Sequence, residues 1–228
     1  MQTKLLTFSN AKTTKGEKKG YLTGILYLAP ASTSGVINVC PKASEGCKKA
    51  CLFTAGRGAY NNVQEARKRK TLEYYNDRDG FIETLLKDID IARKVADKKG
   101  LTLVLRPNGT SDLPFIGRKV AEANPDIQVY DYTKVSKPWE RQLPNYRLTF
   151  SRSETNEAEC IEALDHGINV AVVFSTKKGQ ALPETYLGRK VVDGDETDLR
   201  FLDETGVIVG LRAKGKAKQD TTGFVVQV

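Results

Sequence analysis

Histidine, methionine and tryptophan each occur once in this 228-residue chain, and cysteine occurs four times. With one histidine there is no Ser/His/Asp set and no H-E-x-x-H zinc helix, and no Gly-x4-Gly-Lys-Ser/Thr phosphate loop is present either. Ordinary hydrolases and P-loop nucleotidases are thereby excluded. No apolar run approaches the ~20 residues that a membrane helix needs. The start, Met1-Gln-Thr-Lys-Leu-Leu6, lacks an apolar stretch of secretory length, so no signal peptide is expected. That predicts a cytoplasmic, reducing compartment without membrane attachment, where four cysteines do not serve as structural disulfides.

What is present is ordinary for a folded soluble chain, with 39% hydrophobic and 28% charged residues. Thirty-six basic against 28 acidic side chains leave +8, unevenly placed. Residues 1–20 carry +4, residues 42–70 carry +6 and residues 206–228 carry +3, which leaves −5 for the remainder. Such lysines are either solvated loop residues or three distant segments that meet as one anion-binding surface. The second arrangement suits a small-molecule or nucleotide ligand, or a nucleic acid.

Strand-like and helix-like segments alternate. Tyr21–Ala29 reads as a strand, then a Cys-rich, loop-like stretch follows over 30–60. Asn61 or Asn62 caps a helix reaching Tyr75, with a break at 77–80. Phe81, Leu85, Ile89, Ala92 and Ala96 recur at helical spacing, and Gly100 stops that helix. Strands are predicted at 101–106, 127–133, 146–151, 168–175 and 207–212, with helices at 115–123 and 156–166. Residues 176–205 carry little pattern. Apolar strands separated by helices predict α/β architecture with right-handed crossovers and mostly parallel strands. Five or six strands without a linker or repeat predict a single domain over 1–228. Its expected form is an open or incomplete (β/α) TIM-barrel-like domain, with a doubly wound sheet as the alternative.

Parallel sheets place ligand sites at the carboxyl ends of their strands. Here those ends are polar: Asn108 to Asp112, Lys134, Ser151-Arg152-Ser153-Glu154 and Arg212 to Lys214. The strongest chemical signal is Cys40-x6-Cys47-x3-Cys51, three of the four cysteines within twelve residues among lysines. Nearby cations are expected to favour thiolate, the form that binds metal. A closed zinc site needs a fourth ligand, and Cys160 and His166 both fall in the helix at 156–166, expected on the outside of the sheet. Three thiolates with an open position suit an iron–sulfur cluster better.

At these residues the chain resembles a phage-encoded family, the "gene product eighty-eight" type of mycobacteriophage and marine-phage protein, and more distantly radical-SAM-like phage proteins. The matching pieces are Asn10-Ala-Lys12 with Lys15, Cys40-Pro41, Gly46-Cys47, Cys51, Gly56-Arg57, Ala66-Arg67, Thr71, Phe81, Arg106 through Asp112, Tyr132-Thr-Lys134, Gly210 through Lys216 and Gly223-Phe224. The resemblance implies a [4Fe–4S] cluster on a barrel-like α/β core and, for a phage protein, the host cell cytoplasm. The loop departs from the C-x3-C-x2-C of radical-SAM enzymes. The enzyme reading places the cluster on Cys40, Cys47 and Cys51. S-adenosylmethionine or a related ligand would then lie against Asn108, Asp112, Ser151, Arg152, Ser153 and Glu154. Lys12, Lys134, Arg212 and Lys214 would neutralise an anion. Two other readings stand beside it: a non-catalytic iron–sulfur electron carrier or binding protein, and a zinc-stabilised nucleic-acid-binding module using Tyr60, Tyr74 and Tyr75.

Overall fold

The computed structural model describes residues 4–9 and 11–228, apart from the side chains of Ala11 and Lys12. It begins with a short strand, β1 (Leu6–Thr7), helix α1 (Ala11–Glu17) and β2 (Tyr21–Leu26). The Cys-rich stretch contains a one-turn helix, α2 (Glu45–Lys49). Two long helices follow, α3 (Asn61–Asn76) and α4 (Arg78–Lys99). Then come β3 (Thr102–Arg106), α5 (Pro114–Ala123), β4 (Gln128–Thr133), β5 (Tyr146–Ser151), α6 (Glu157–Asp165) and β6 (Val170–Phe174). The last part adds β7 (Thr185–Tyr186), β8 (Arg189–Asp193) and β9 (Ile208–Arg212).

The strands make one nine-stranded sheet in the order β1-β2-β3-β4-β5-β6-β9-β8-β7. Pairing is parallel from β2 through β8 and antiparallel only at the two edges. The α/β, mostly parallel expectation holds, and the sheet is open rather than closed into a barrel. The order from β2 to β6 follows the chain without reversal, and beyond β6 it runs back through β9, β8 and β7.

Winding in one direction puts the crossover helices on one face. Helix α4 packs on β2 and β3, α5 on β4 and β5, and α6 on β5 and β6. Alternation does the rest: Leu103, Leu105, Val129 and Leu148 meet Leu85, Ile89, Ile116 and Val120, and Phe150, Val170 and Val172 meet Cys160 and Leu164. Fully burying each such side chain contributes about 1.5–3 kcal/mol. The intervening residues face the other way. There Val104 and Tyr130 are capped by Leu199, with Phe201 edge-on to Tyr21 at 5.4 Å. This plug covers the amino-terminal half of that face. Two residues further along, Arg106 and Tyr132 are left to line an opening.

The expected break at 77–80 is shorter than predicted. Asp77 alone separates α3 from α4, and its carboxylate accepts from the Gly80 N–H at 2.9 Å as the cap of α4. Asp131, on the helix-facing side of β4, accepts from Asn108 N, Asn108 Nδ2 and the Tyr146 hydroxyl at 2.7, 2.9 and 3.0 Å. Burial nevertheless pushes its carboxyl up to about 7. An unfolded aspartate titrates near 3.9, so the folded chain holds the extra proton in between. This contribution is therefore complete below about pH 4 and is lost as pH rises through about 7, at roughly 1.4 kcal/mol per unit. Asp131→Asn should lack that decline. Urea unfolding of both proteins across the window checks it, and equal slopes would refute the assignment.

No helix among the described residues is long and apolar enough to cross a membrane.

Candidate functional site

The Cys-rich loop leaves the end of β2 and folds over the carboxyl ends of the parallel strands. Backbone and side-chain bonds pin its start: Thr110 Oγ1 donates to Leu28 O at 2.6 Å, and Asp112 N donates to Val39 O at 2.8 Å. Directly after the second tie comes Cys40, whose Sγ accepts from Ala31 N at 3.3 Å. Cys47 lies on α2, which Ser44 caps through a 3.2 Å bond from Cys47 N. Ser44 Oγ and Gly46 N both donate to the Glu154 carboxylate at 2.7 Å. Glu154 thus clamps the cysteine helix to the end of β5. Gly46 is needed for that approach, because a Cβ there would lie 2.3 Å from Thr222 Oγ1 and 2.8 Å from Glu154 Oε2. Cys51 follows directly after α2, at the start of a turn at Leu52–Thr54.

Under the loop is a cavity of about 360 Å³. Cys40, Cys47 and Cys51 line it together with the ends of β3, β4, β5 and β9. Of the residues expected here, Asn108, Asp112, Ser151, Arg152, Lys134, Arg212 and Lys214 line it. Ser153 does not: it is buried, and its N–H donates to Asn156 Oδ1 at 2.6 Å. Glu154 does not line it either, being spent on the clamp. The side chain of Lys12 lies outside the described residues.

Several lining groups are committed to the scaffold. Asn108 Oδ1 accepts from Ser111 Oγ and Leu113 N. Asp112 accepts from Thr133 Oγ1 at 2.8 Å and Lys134 N at 2.7 Å. Arg152 Nη1 donates to the carbonyls of Gly223 and Phe224 at 2.7 and 3.1 Å. Arg212 pairs with Asp193 at 2.8 Å, and Lys214 with Asp195 at 2.5 Å. Burial opposes ionisation of Asp195, but Lys214 and Arg212 hold its carboxyl below the usual range. Lys134 is different: its ammonium lies 5.6 Å over the Phe224 ring and has no carboxylate partner among the described residues.

Lys15, Arg106, Asp195 and Asp198 also line the cavity and were not among the expected site residues. Arg106 had a signal, an arginine closing an otherwise apolar strand. The two aspartates come from the weakly patterned 176–205 stretch. Six cations against three aspartates leave the walls at +3.

The thiols run against expectation. Burial pushes Cys40 up to about 12, with Asp112 adding to the rise, and burial also raises Cys51. The loop lysines that were expected to lower them point into water, where screening is strong. Lys134 and Arg67 act on Cys51 in the lowering direction but do not overcome desolvation. Cys160 is fully buried among Phe150, Leu164 and Val172 on the helix face, away from the cavity. His166 stacks on Trp139, with ring centroids 4.1 Å apart.

One protein family, described as gene product 88, matches residues 4–228. The chain belongs to the gene product 88 family. The match spans the cysteine loop and every strand of the sheet. Comparison with curated proteins and with solved structures gives no match.

Proposed function

We propose that this gene product 88 protein holds a [4Fe–4S] cluster on Cys40, Cys47 and Cys51. The cluster would face a cationic cavity where a radical-SAM-like reaction on a nucleotide or nucleic acid takes place. The observation that carries this reading is that all three cysteines line one cavity at the carboxyl ends of the strands. In parallel α/β sheets the carboxyl ends of the strands are where ligand sites lie, which supports this reading.

Three thiols line the cavity, and thiolate sulfur is the donor by which proteins hold such clusters; Cys160 lies on the far face. Arg67 on α3 adds a second point. Its Nε and Nη1 are buried without hydrogen-bond partners, its guanidinium lies 4.8 Å over the Tyr27 ring, and its charge is felt at Cys51. Two buried N–H groups without partners are costly, and an anionic thiolate-bound cluster beside Cys51 would compensate this half-buried cation. When bound, the cluster supplies single-electron chemistry. The chain's own residues orient the ligand, exclude water and, through Lys134, neutralise negative charge.

The scaffold duties of Asn108, Asp112 and Glu154 favour the second reading, an iron–sulfur electron carrier that does not bind S-adenosylmethionine. Anaerobically purified protein should be brown and carry iron and sulfide. After reduction, added S-adenosylmethionine should release 5′-deoxyadenosine or methylthioadenosine. A coloured protein that leaves S-adenosylmethionine intact establishes the carrier, and a colourless protein carrying one zinc rejects both.

A further inference from the structure

Around the opening, small residues turn inward and their chain neighbours turn out. Ala43, Ala50 and Ala217 line the cavity, and Ala50 and Ala217 share a small core with Ala213 and Val225. Beside them Lys42, Lys49, Lys216 and Lys218 are exposed. Two sequence-distant loops bring these lysines together, because the turn at Gly215–Gln219 packs on the turn at Leu52–Thr54. A Cβ on Gly215 would lie 2.9 Å from Ala55 Cβ. Arg57, on the next turn, is also exposed.

None of these five cations has an ion-pair partner among the described residues. The two acids in these loops are already engaged: Glu45 with Lys48 at 2.7 Å, and Asp220 with Thr222 Oγ1 and Val225 N. Residues 42–60 and 212–220 hold eight basic and two acidic side chains, which is +6. A small anion would be served by the lining cations alone. An outer ring of unpaired cations matches a ligand whose charges continue beyond the cavity. Leu52 on the wall and Tyr60 nearby are 48% and 61% exposed and offer apolar and aromatic surface to unpaired bases. The cavity is at the small end of ligand pockets, sized for one nucleotide unit rather than a base pair.

We infer that this rim is a docking surface for single-stranded nucleic acid, with one nucleotide entering the cavity. The inference rests on the proposed reading of that cavity as the reactive mouth and names its substrate class. The phosphates lie along Lys42, Lys49, Arg57, Lys216 and Lys218, and bases lie against Leu52 and Tyr60.

The test is fluorescence anisotropy of a labelled single-stranded oligodeoxynucleotide of mixed sequence over a salt series. The intact protein should bind it more tightly than the matching duplex. Lys42→Gln/Lys49→Gln/Lys216→Gln/Lys218→Gln should weaken binding at least about tenfold and cut the slope of log affinity against log salt by about 3, at ~0.7 per lost phosphate contact. Lys94→Gln/Lys98→Gln on α4, behind the sheet, should bind as the parent does. No binding at low salt, an equal loss in the α4 variant, or tighter binding of duplex overturns the inference. Visible absorbance recorded on the same samples separates the two readings. Colour without binding rejects the docking surface alone, and binding without colour rejects the cluster alone.

Discussion

Cys40→Ser, Cys47→Ser and Cys51→Ser should each yield colourless protein with visible absorbance at baseline after anaerobic purification, whereas Cys160→Ala should keep its colour. The contrast follows from position. The three cysteines line the cavity, and the fourth is sealed between α6 and the helix-facing side of the sheet. Clusters are held by thiolate sulfur, and a serine hydroxyl in the same place is a hard, weakly acidic donor. The loop is tied independently of the sulfurs by Ser44, Gly46 and Glu154. The serine variants should therefore stay folded, with far-ultraviolet circular dichroism like the parent's. Cluster loading should also depend on pH. Cys40 begins near 12 and must lose its proton on ligation, so reconstitution should be slower in acid. Retained iron in all three serine variants, or loss of colour in Cys160→Ala, would sink the assignment.

The strands and long helices were legible because their periodicity is strong. Val170–Phe174 is apolar throughout, and α4 keeps its apolar stripe until Gly100, whose φ of 64° ends the helix. The elements that were missed carry no such pattern. Helix α1 is Ala-Lys-Thr-Thr-Lys-Gly-Glu, with no apolar face. Strand β1 is two residues long and depends on a residue far along the chain. Asp88, buried in α4, accepts from the backbone N–H groups of Lys4, Leu5 and Leu6 at 3.0, 2.5 and 3.1 Å. In sequence Asp88 is one acid among several on a helix.

The site divides in the same way. The cysteine spacing and the polar strand ends were visible locally. Which polar groups face the cavity and which brace it was not, because that depends on pairs such as Glu154 with Ser44, 110 residues apart. The thiol acidity was misjudged for a related reason. Sequence shows neighbouring lysines but not that they point to solvent while the sulfurs are desolvated.

Asp198→Ala should cost about 3–5 kcal/mol of stability, the largest loss expected from a single charge in the molecule. Arg106 Nη1 meets Asp198 Oδ2 at 2.5 Å with both residues nearly sealed from water, 5% and 6% exposed. Burial opposes the charge on Arg106, and Asp198 outweighs it, so the guanidinium is held charged. Tyr132 adds its ring face at 4.6 Å. Arginine does not shed its proton on losing the partner, so the variant keeps a buried cation with Nε already unbonded. Pairs such as Arg118–Glu122, more than a third exposed on both sides, should cost no more than about 1 kcal/mol when broken. Arg106→Met/Asp198→Leu should lie closer to the parent than Asp198→Ala does, since an apolar pair leaves no stranded charge. Urea unfolding of the four corners of this cycle measures the coupling directly. A loss below about 1 kcal/mol in Asp198→Ala would mean that water reaches Arg106 from the cavity. The strand end would then be wetter, and its electrostatics weaker, than the proposed chemistry requires.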